Sequence, residues 1–227
     1  MCIRDRDSVK IYDVHGNEIH KELNTADWDV DAAEKGGYEH FMMKEIHEQP
    51  KAVKDTLNSV LKDGKLDLSA VELTNDEIKK ISQIYIVACG SAYHAGVVAQ
   101  YVIEDLAKIP VRVELASEFR YRKPLLDPDG LVVVISQSGE TADSLAALRL
   151  AKDKGLKTLG IVNVVGSSIA READNVFYTL AGPEIAVATT KAYSTQLIAA
   201  YCLALQFAYV RGEMELSEYE RLLSELE

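Results

Sequence analysis

Residues 131–144 read LVVVISQSGETADS. Leu131 to Ile135 are all apolar and mostly β-branched, with no polar alternation. That pattern suits a strand buried on both faces of a parallel sheet. Ser136-Gln137-Ser138-Gly139-Glu140-Thr141 follows, and helical spacing resumes at Ala142. A strand that gives way to small hydroxyl residues and a glycine just before a helix can hold an anion. The first N–H groups of the helix lack internal partners, and its dipole places partial positive charge there. Ser136, Ser138 and Thr141 add short donors, and Gly139 permits close backbone approach. A phosphate fits this chemistry. An ordinary N-cap by Ser138 or Thr141 fits it as well.

Working outward, the same unit repeats. Ile84–Ala88, Val111–Leu115, Thr158–Val162 and Asn175–Leu180 have strand character. Ala92–Lys108, Thr141–Lys154, Ser168–Glu172 and Thr189–Val210 have helical character, with Pro110 and Gly155 as stops. Strands alternating with helices imply an α/β fold, a parallel five-stranded sheet with helices on both faces. Ligands of such sheets sit at the carboxyl ends of the strands. Cys89-Gly90-Ser91, Ser136–Thr141 and the 187–191 region then share one rim.

Upstream the pattern differs. Val9–His20 reads as a β-hairpin turning at His15-Gly16-Asn17, whereas Met1–Arg6 leads into no recognisable element. Residues 24–37 are polar and acidic and read as a connector. Tyr38–Leu61 has helical spacing, with Met42, Ile46, Val53, Leu57 and Val60 on one face and Pro50 expected to kink or split it. Residues 66–73 read as a loop. Thr74 and Glu77 form a capping-box pattern for a short helix. Leu216–Leu226 is helical up to an abrupt end, and the chain reads as a fragment.

Composition narrows the function. The 227 residues carry a formal net charge of −11, which argues against a broad nucleic-acid surface. A local cradle of amides and hydroxyls can still hold a small anion on an acidic protein. No apolar run approaches the ~20 residues of a membrane span, and no secretory signal is visible. Cys2, Cys89 and Cys202 are few and widely spaced, and read as reduced thiols of a cytoplasmic protein. GxxxxGK[ST] and GxGxxG are both absent, which disfavours a nucleoside triphosphate and a dinucleotide. Two hydroxyl-bearing strand-to-helix turns remain, suited to a single phosphate with sugar hydroxyls.

The segments VACGSAYHAG, ASEFRYR, VVVISQSGETADSLAALRLAK, NVVGSS and AGPEIAVATTKAYSTQ resemble the first sugar-isomerase (SIS) domain of the glutamine–fructose-6-phosphate aminotransferase family. GGYEHFMMKEIHEQPKAV resembles the stretch leading into that domain, and residues 9–31 the tail of the family's glutaminase domain. SQSGET alone marks any SIS domain. Its combination with EFRYR, KEIxEQP and VATTKAYSTQ points to this family.

The resemblance implies residues 1–35 as a glutaminase remnant, 36–72 as connector helices and 73–227 as the first of two SIS domains. It implies that Ser136, Gln137, Ser138 and Thr141 hold the sugar phosphate. Gly90 and Ser91 would lie against the sugar, and Val187 and Thr189 would border it. Ser91 stands where the family usually has Thr, Thr189 where it often has Ser, and Ala92 where it usually has a ligand-contacting Ser, so one hydroxyl is lost.

The implied ligands are fructose 6-phosphate and glucosamine 6-phosphate, with no cofactor and no metal. The implied parent is a homodimer that moves glutamine-derived ammonia onto the sugar and isomerises it. Its acid–base groups lie in the second SIS domain, the C-terminal tail and a neighbouring subunit. The glutaminase nucleophile is an N-terminal Cys. No catalytic residue is therefore assigned here, and the chain alone is expected to be inactive.

Other residues invite weaker readings. Cys2 mimics the family's N-terminal nucleophile, but Ile3-Arg4-Asp5-Arg6 replaces the expected strand. Cys89 reads as a small buried side chain. His40 and His47 lack an i, i+4 metal pair and read as solvent-facing, whereas His94, near the sugar rim, reads as a helix-face histidine rather than a sugar contact. Lys191 either biases the site toward anions or is a cap-region lysine. Ser167 and Ser168 read as an N-cap, Arg120, Arg122 and Lys123 as a salt-bridged cluster, and Leu197–Tyr209 as core or subunit interface. Two rival readings stay open: a stand-alone SIS sensor that binds a phosphosugar without chemistry, and an aldose–ketose isomerase with its own Glu and His.

Overall fold

A computed structural model describes residues 2–4, 8–20 and 34–226. The chain divides into two compact units, residues 1–30 and 31–227. In the first, strands β1 (Cys2–Arg4), β2 (Val9–Tyr12) and β3 (Glu18–Ile19) form an antiparallel sheet. The hairpin expected over 9–20 is present, with Ile11 opposite Ile19. The segment expected to be featureless instead adds β1 at the edge, Cys2 opposite Ile11 and Arg4 opposite Val9. Backbone pairing to a neighbouring edge needs no side-chain signature, so the pattern did not reveal it. The Cys2 side chain and the connector reading over 24–33 lie outside the described residues.

The second unit begins with α1 (Phe41–Asn58), which Pro50 neither splits nor ends. The missing N–H would leave the Ile46 carbonyl without its partner, and the Gln49 side-chain amide donates to it at 3.3 Å. The buried face also differs from expectation. Leu57 and Val60 are buried as read, but Met42 and Ile46 are exposed, and Lys44, Glu45, Ala52 and Thr56 are buried instead. A two-residue turn joins β4 (Leu61–Lys62) to β5 (Lys65–Leu66), and a one-turn 3-10 helix (Leu68–Val71) stands where a loop was expected. Asp67 nucleates it by accepting from the Ser69 N–H at 2.8 Å. The capping box of α2 (Asn75–Lys80) is complete: Thr74 accepts from the Glu77 N–H, and Glu77 from the Thr74 N–H.

Thereafter come β6 (Ile84–Ala88), α3 (Ser91–Ala107), β7 (Val111–Leu115), α4 (Ala116–Phe119), β8 (Leu131–Ser136), α5 (Ala142–Asp153), β9 (Lys157–Val162), α6 (Ser168–Glu172) and β10 (Asn175–Tyr178), as read from the sequence except for the one-turn helix α4. Two helices close the unit, α7 (Lys191–Arg211) and α8 (Leu216–Leu226). The five strands are parallel in the order β10-β9-β8-β6-β7, with Ile84 beside both Val111 and Leu131. The chain thus runs outward from β6 to one edge, returns to β8 and runs to the other edge.

Both faces of the sheet are covered, which is why its central strands show no alternation. Ile84, Ile86, Leu131, Val133 and Ile135 face one core with residues of α3 and α7. Tyr85, Val87, Val132 and Val134 face the other with Ala147, Leu148 and Ile169. Much of α7 is buried, and Ala199, Cys202, Leu203, Leu205 and Phe207 belong to the first core. Burial pushes the Cys202 thiol up to about 12, so it stays protonated and inert.

Candidate functional site

The reversal of strand order between β6 and β8 opens a crevice at their carboxyl ends. A cavity of about 500 Å³ sits there. The turn after β6 contributes Cys89, Gly90, Ser91 and Ala92; the turn after β8 contributes Ser136, Gln137, Ser138 and Thr141. The loop before α7 contributes Glu184 and residues 186–189, and α7 contributes Gln196. All eight positions expected from the sequence, Gly90, Ser91, Ser136, Gln137, Ser138, Thr141, Val187 and Thr189, line this one cavity.

The 136–141 turn is built by its own hydroxyls. Ser136 Oγ, on a buried residue, accepts from the Gly139 N–H at 3.1 Å and shares a hydrogen bond with Thr141 Oγ1 at 3.1 Å. Ser138 Oγ accepts from the Glu140 N–H at 3.2 Å. Gly139 has φ +65°, and a Cβ there would lie 2.0 Å from Ser167 Oγ, so conformation and space both demand glycine. Thr141 occupies the N-cap position of α5, yet its side chain makes no cap bond. The simple N-cap reading therefore fails for Thr141: its hydroxyl bonds Ser136 Oγ and lines the cavity instead of capping α5.

Glu140 turns away from the cavity. Its carboxylate accepts from the Ser168 N–H at 2.7 Å, and the Ser168 side chain and N–H together hold its pKa below the ordinary carboxylate value. Glu140 therefore caps α6, and Ser167, expected to do so, makes no cap bond. Ser167 Oγ is buried without a partner, packed against Gly139.

The loop before α7 is held by carboxylates. Glu184 Oε1 accepts from the N–H groups of Thr190 at 2.9 Å and Ala192 at 3.2 Å, and Thr189 Oγ1 donates to Glu184 Oε2 at 2.9 Å. Glu45 of α1, 2% exposed, accepts from the N–H groups of Ile185 at 2.6 Å and Ala186 at 3.1 Å. Lys191, 3% exposed, pairs with Glu48 at 2.7 Å, so its charge is spent on α1. Ser194 Oγ donates to Gln49 Oε1 at 2.6 Å. The polar residues of KEIHEQP thus tie the last loop down, so that Val187 and Thr189 reach the cavity.

Outside the cavity, Arg120 pairs with Asp143 at 2.7 Å, and Arg122 with Glu114, as a salt-bridged cluster should. His40 and His47 are exposed, the latter stacked on Tyr38. His94 is exposed, edge-on to Tyr93 and not part of the cavity lining. Sequence reasoning missed Glu184, Gln196 and the clamp of Glu45, Glu48 and Gln49. The clamp had a signal: residues 45, 48, 49, 52 and 56 share a helical face that is mostly polar yet carries Ala and Thr at its lower end.

Residues 77–206 match the model of the SIS domain family. The chain belongs to the SIS domain family. Over 222 residues it is 58% identical to the isomerising glutamine–fructose-6-phosphate aminotransferase of Clostridium tetani, covering 97% of this chain and 36% of that relative. The same enzyme of Caldanaerobacter subterraneus subsp. tengcongensis is 57% identical over the whole chain, which covers 37% of it. This SIS chain therefore spans about a third of the length of the curated relatives it matches. Among solved structures, the C-terminal domain of glucosamine-fructose-6-phosphate aminotransferase from Francisella tularensis superposes with a TM-score of 0.81 at 44% identity, over 85% of this chain and 54% of that one.

Proposed function

We propose that this chain is the sugar-phosphate-binding part of an isomerising glutamine–fructose-6-phosphate aminotransferase, with its first SIS domain at 73–227, a connector at 36–72 and the end of a glutaminase domain at 1–35. The carrying observation is the convergence of three loops on one cavity whose donors are hydroxyls and an open helix end. Fructose 6-phosphate and glucosamine 6-phosphate are its ligands. The phosphate lies against Ser136, Gln137, Ser138 and Thr141, and the sugar against Gly90, Ser91, Val187 and Thr189. Ala92 supplies no hydroxyl, which weakens the grip on the sugar.

Binding and chemistry separate here. Among the described residues lining the cavity, the one carboxylate is Glu184, and backbone amides and a hydroxyl occupy it. Proton transfer between sugar carbons needs an available acid–base group within hydrogen-bond reach. The parent enzyme, a cytoplasmic homodimer, supplies those groups from its other segments, and this chain alone binds without turnover. No helix among the described residues is long and apolar enough to cross a membrane.

The test is calorimetric titration of this chain with both sugar phosphates, alongside Ser138→Ala. Saturable binding that the substitution abolishes is the expected result. No heat from a protein whose circular dichroism shows it folded overturns the reading.

A further inference from the structure

Two helices begin at this cavity and treat negative charge in opposite ways. The α5 end is lined by Ser136, Ser138 and Thr141, and its N-cap side chain makes no cap bond. The longer α7 end is filled by the protein's own carboxylate, because Glu184 takes the Thr190 and Ala192 N–H groups. A few residues away, Glu45 takes the Ile185 and Ala186 N–H groups. Among the described residues that line the cavity no Lys or Arg occurs, and Glu184 alone carries charge. Attraction for a phosphate must then come from helix ends and neutral donors, and two such ends would compete for it.

We infer that Glu184 is a specificity-determining residue: it occupies the α7 N-terminus and repels a second anion there, confining the phosphate end of the ligand to the 136–141 turn. The ligand thereby has one orientation. The 184–190 loop receives its uncharged polyol end, and Thr189, whose hydroxyl proton is donated to Glu184, offers only lone pairs to a sugar hydroxyl. The inference rests on the proposed function in taking a phosphate ester as the ligand.

The experiment titrates inorganic phosphate and fructose 6-phosphate into the chain carrying Glu184→Ala or Glu184→Gln, each with and without Ser138→Ala, by calorimetry. With Glu184→Ala the α7 end is open, so inorganic phosphate binding persists after Ser138→Ala and the stoichiometry rises toward two. Glu184→Gln still accepts both N–H groups but lacks the charge, and fructose 6-phosphate binds roughly threefold tighter without a second phosphate site.

Phosphate binding that remains wholly dependent on Ser138 in the Glu184→Ala protein overturns the inference. If Glu184→Ala proves unfolded by circular dichroism, an unchanged fructose 6-phosphate affinity in Glu184→Gln overturns it instead. Absence of binding to the unsubstituted chain would sink the proposed function alone. A gain of phosphate binding on Glu184→Ala would still uphold the role of Glu184, and no gain would end it.

Discussion

The 136–141 turn and the 182–190 loop flank the same cavity, and each leads into a long helix. In the first, hydroxyls fold the turn and leave the start of α5 uncapped by its N-cap side chain. In the second, Glu184 and Glu45 accept from the backbone N–H groups of Ile185, Ala186, Thr190 and Ala192. Each loop carries a glutamate, but Glu140 swings outward to cap α6 whereas Glu184 folds back onto α7. A helix N-terminus is thus only a potential anion site, and the placement of nearby carboxylates decides whether a ligand can use it.

The comparison breaks most severely at Gly139. Gly139→Ala should cost about 3 kcal/mol, combining the left-handed backbone with the clash against Ser167, and should abolish sugar-phosphate binding. A urea midpoint measured beside a titration checks both. On the opposite side, Glu48→Ala leaves Lys191 buried without its 2.7 Å partner. A loss of about 2 kcal/mol is expected, below the fully buried case because Glu48 is partly solvated. Glu48→Ala with Lys191→Met should recover most of it; failure to recover would mean that the ion pair is not what holds the loop.

Ser138→Ala sharpens the contrast. Among the described residues its hydroxyl accepts one hydrogen bond, from the Glu140 N–H at 3.2 Å, so stability should fall by only about 0.5 kcal/mol while phosphate affinity falls at least about tenfold. Equal losses in both would reduce the turn to a structural element.

The smallest effect is in acid. Glu140 has a folded pKa below its unfolded one, so its contribution is present above the ordinary carboxylate pKa and is lost as pH falls through the lowered value. The group is exposed, and after solvent screening roughly 0.5 kcal/mol or less is at stake. Glu140→Gln should flatten the acid limb of the stability curve by that amount; an unchanged limb would show that the α6 cap carries no weight.

The sheet was legible because burial on both faces leaves a continuous apolar run, as in Leu131–Ile135, and Pro110 and Gly155 punctuate it. The 136–141 turn was legible because small hydroxyls and Gly139 between a strand and a helix are a local signal. In α1 the apolar spacing of Met42 and Ile46 misled, because that helix meets the backbone amides of a loop some 140 residues away along the chain and the polar side chains at the start of α7. Pro50 does not split the helix, because a neighbouring side chain, Gln49, takes up the orphaned carbonyl.

By itself the sequence determined the α/β class, the main strands and helices of the parallel sheet and the hydroxyl-bearing 136–141 turn, since each depends on neighbours a few positions apart. Only the tertiary structure decided the order of the five strands and the crevice it opens. Only it decided that Lys191 serves Glu48 and that Glu184 closes one helix while α5 stays open. Those outcomes depend on which charges meet across long stretches of chain, and a carboxylate in a sequence carries no mark of which amide it will find.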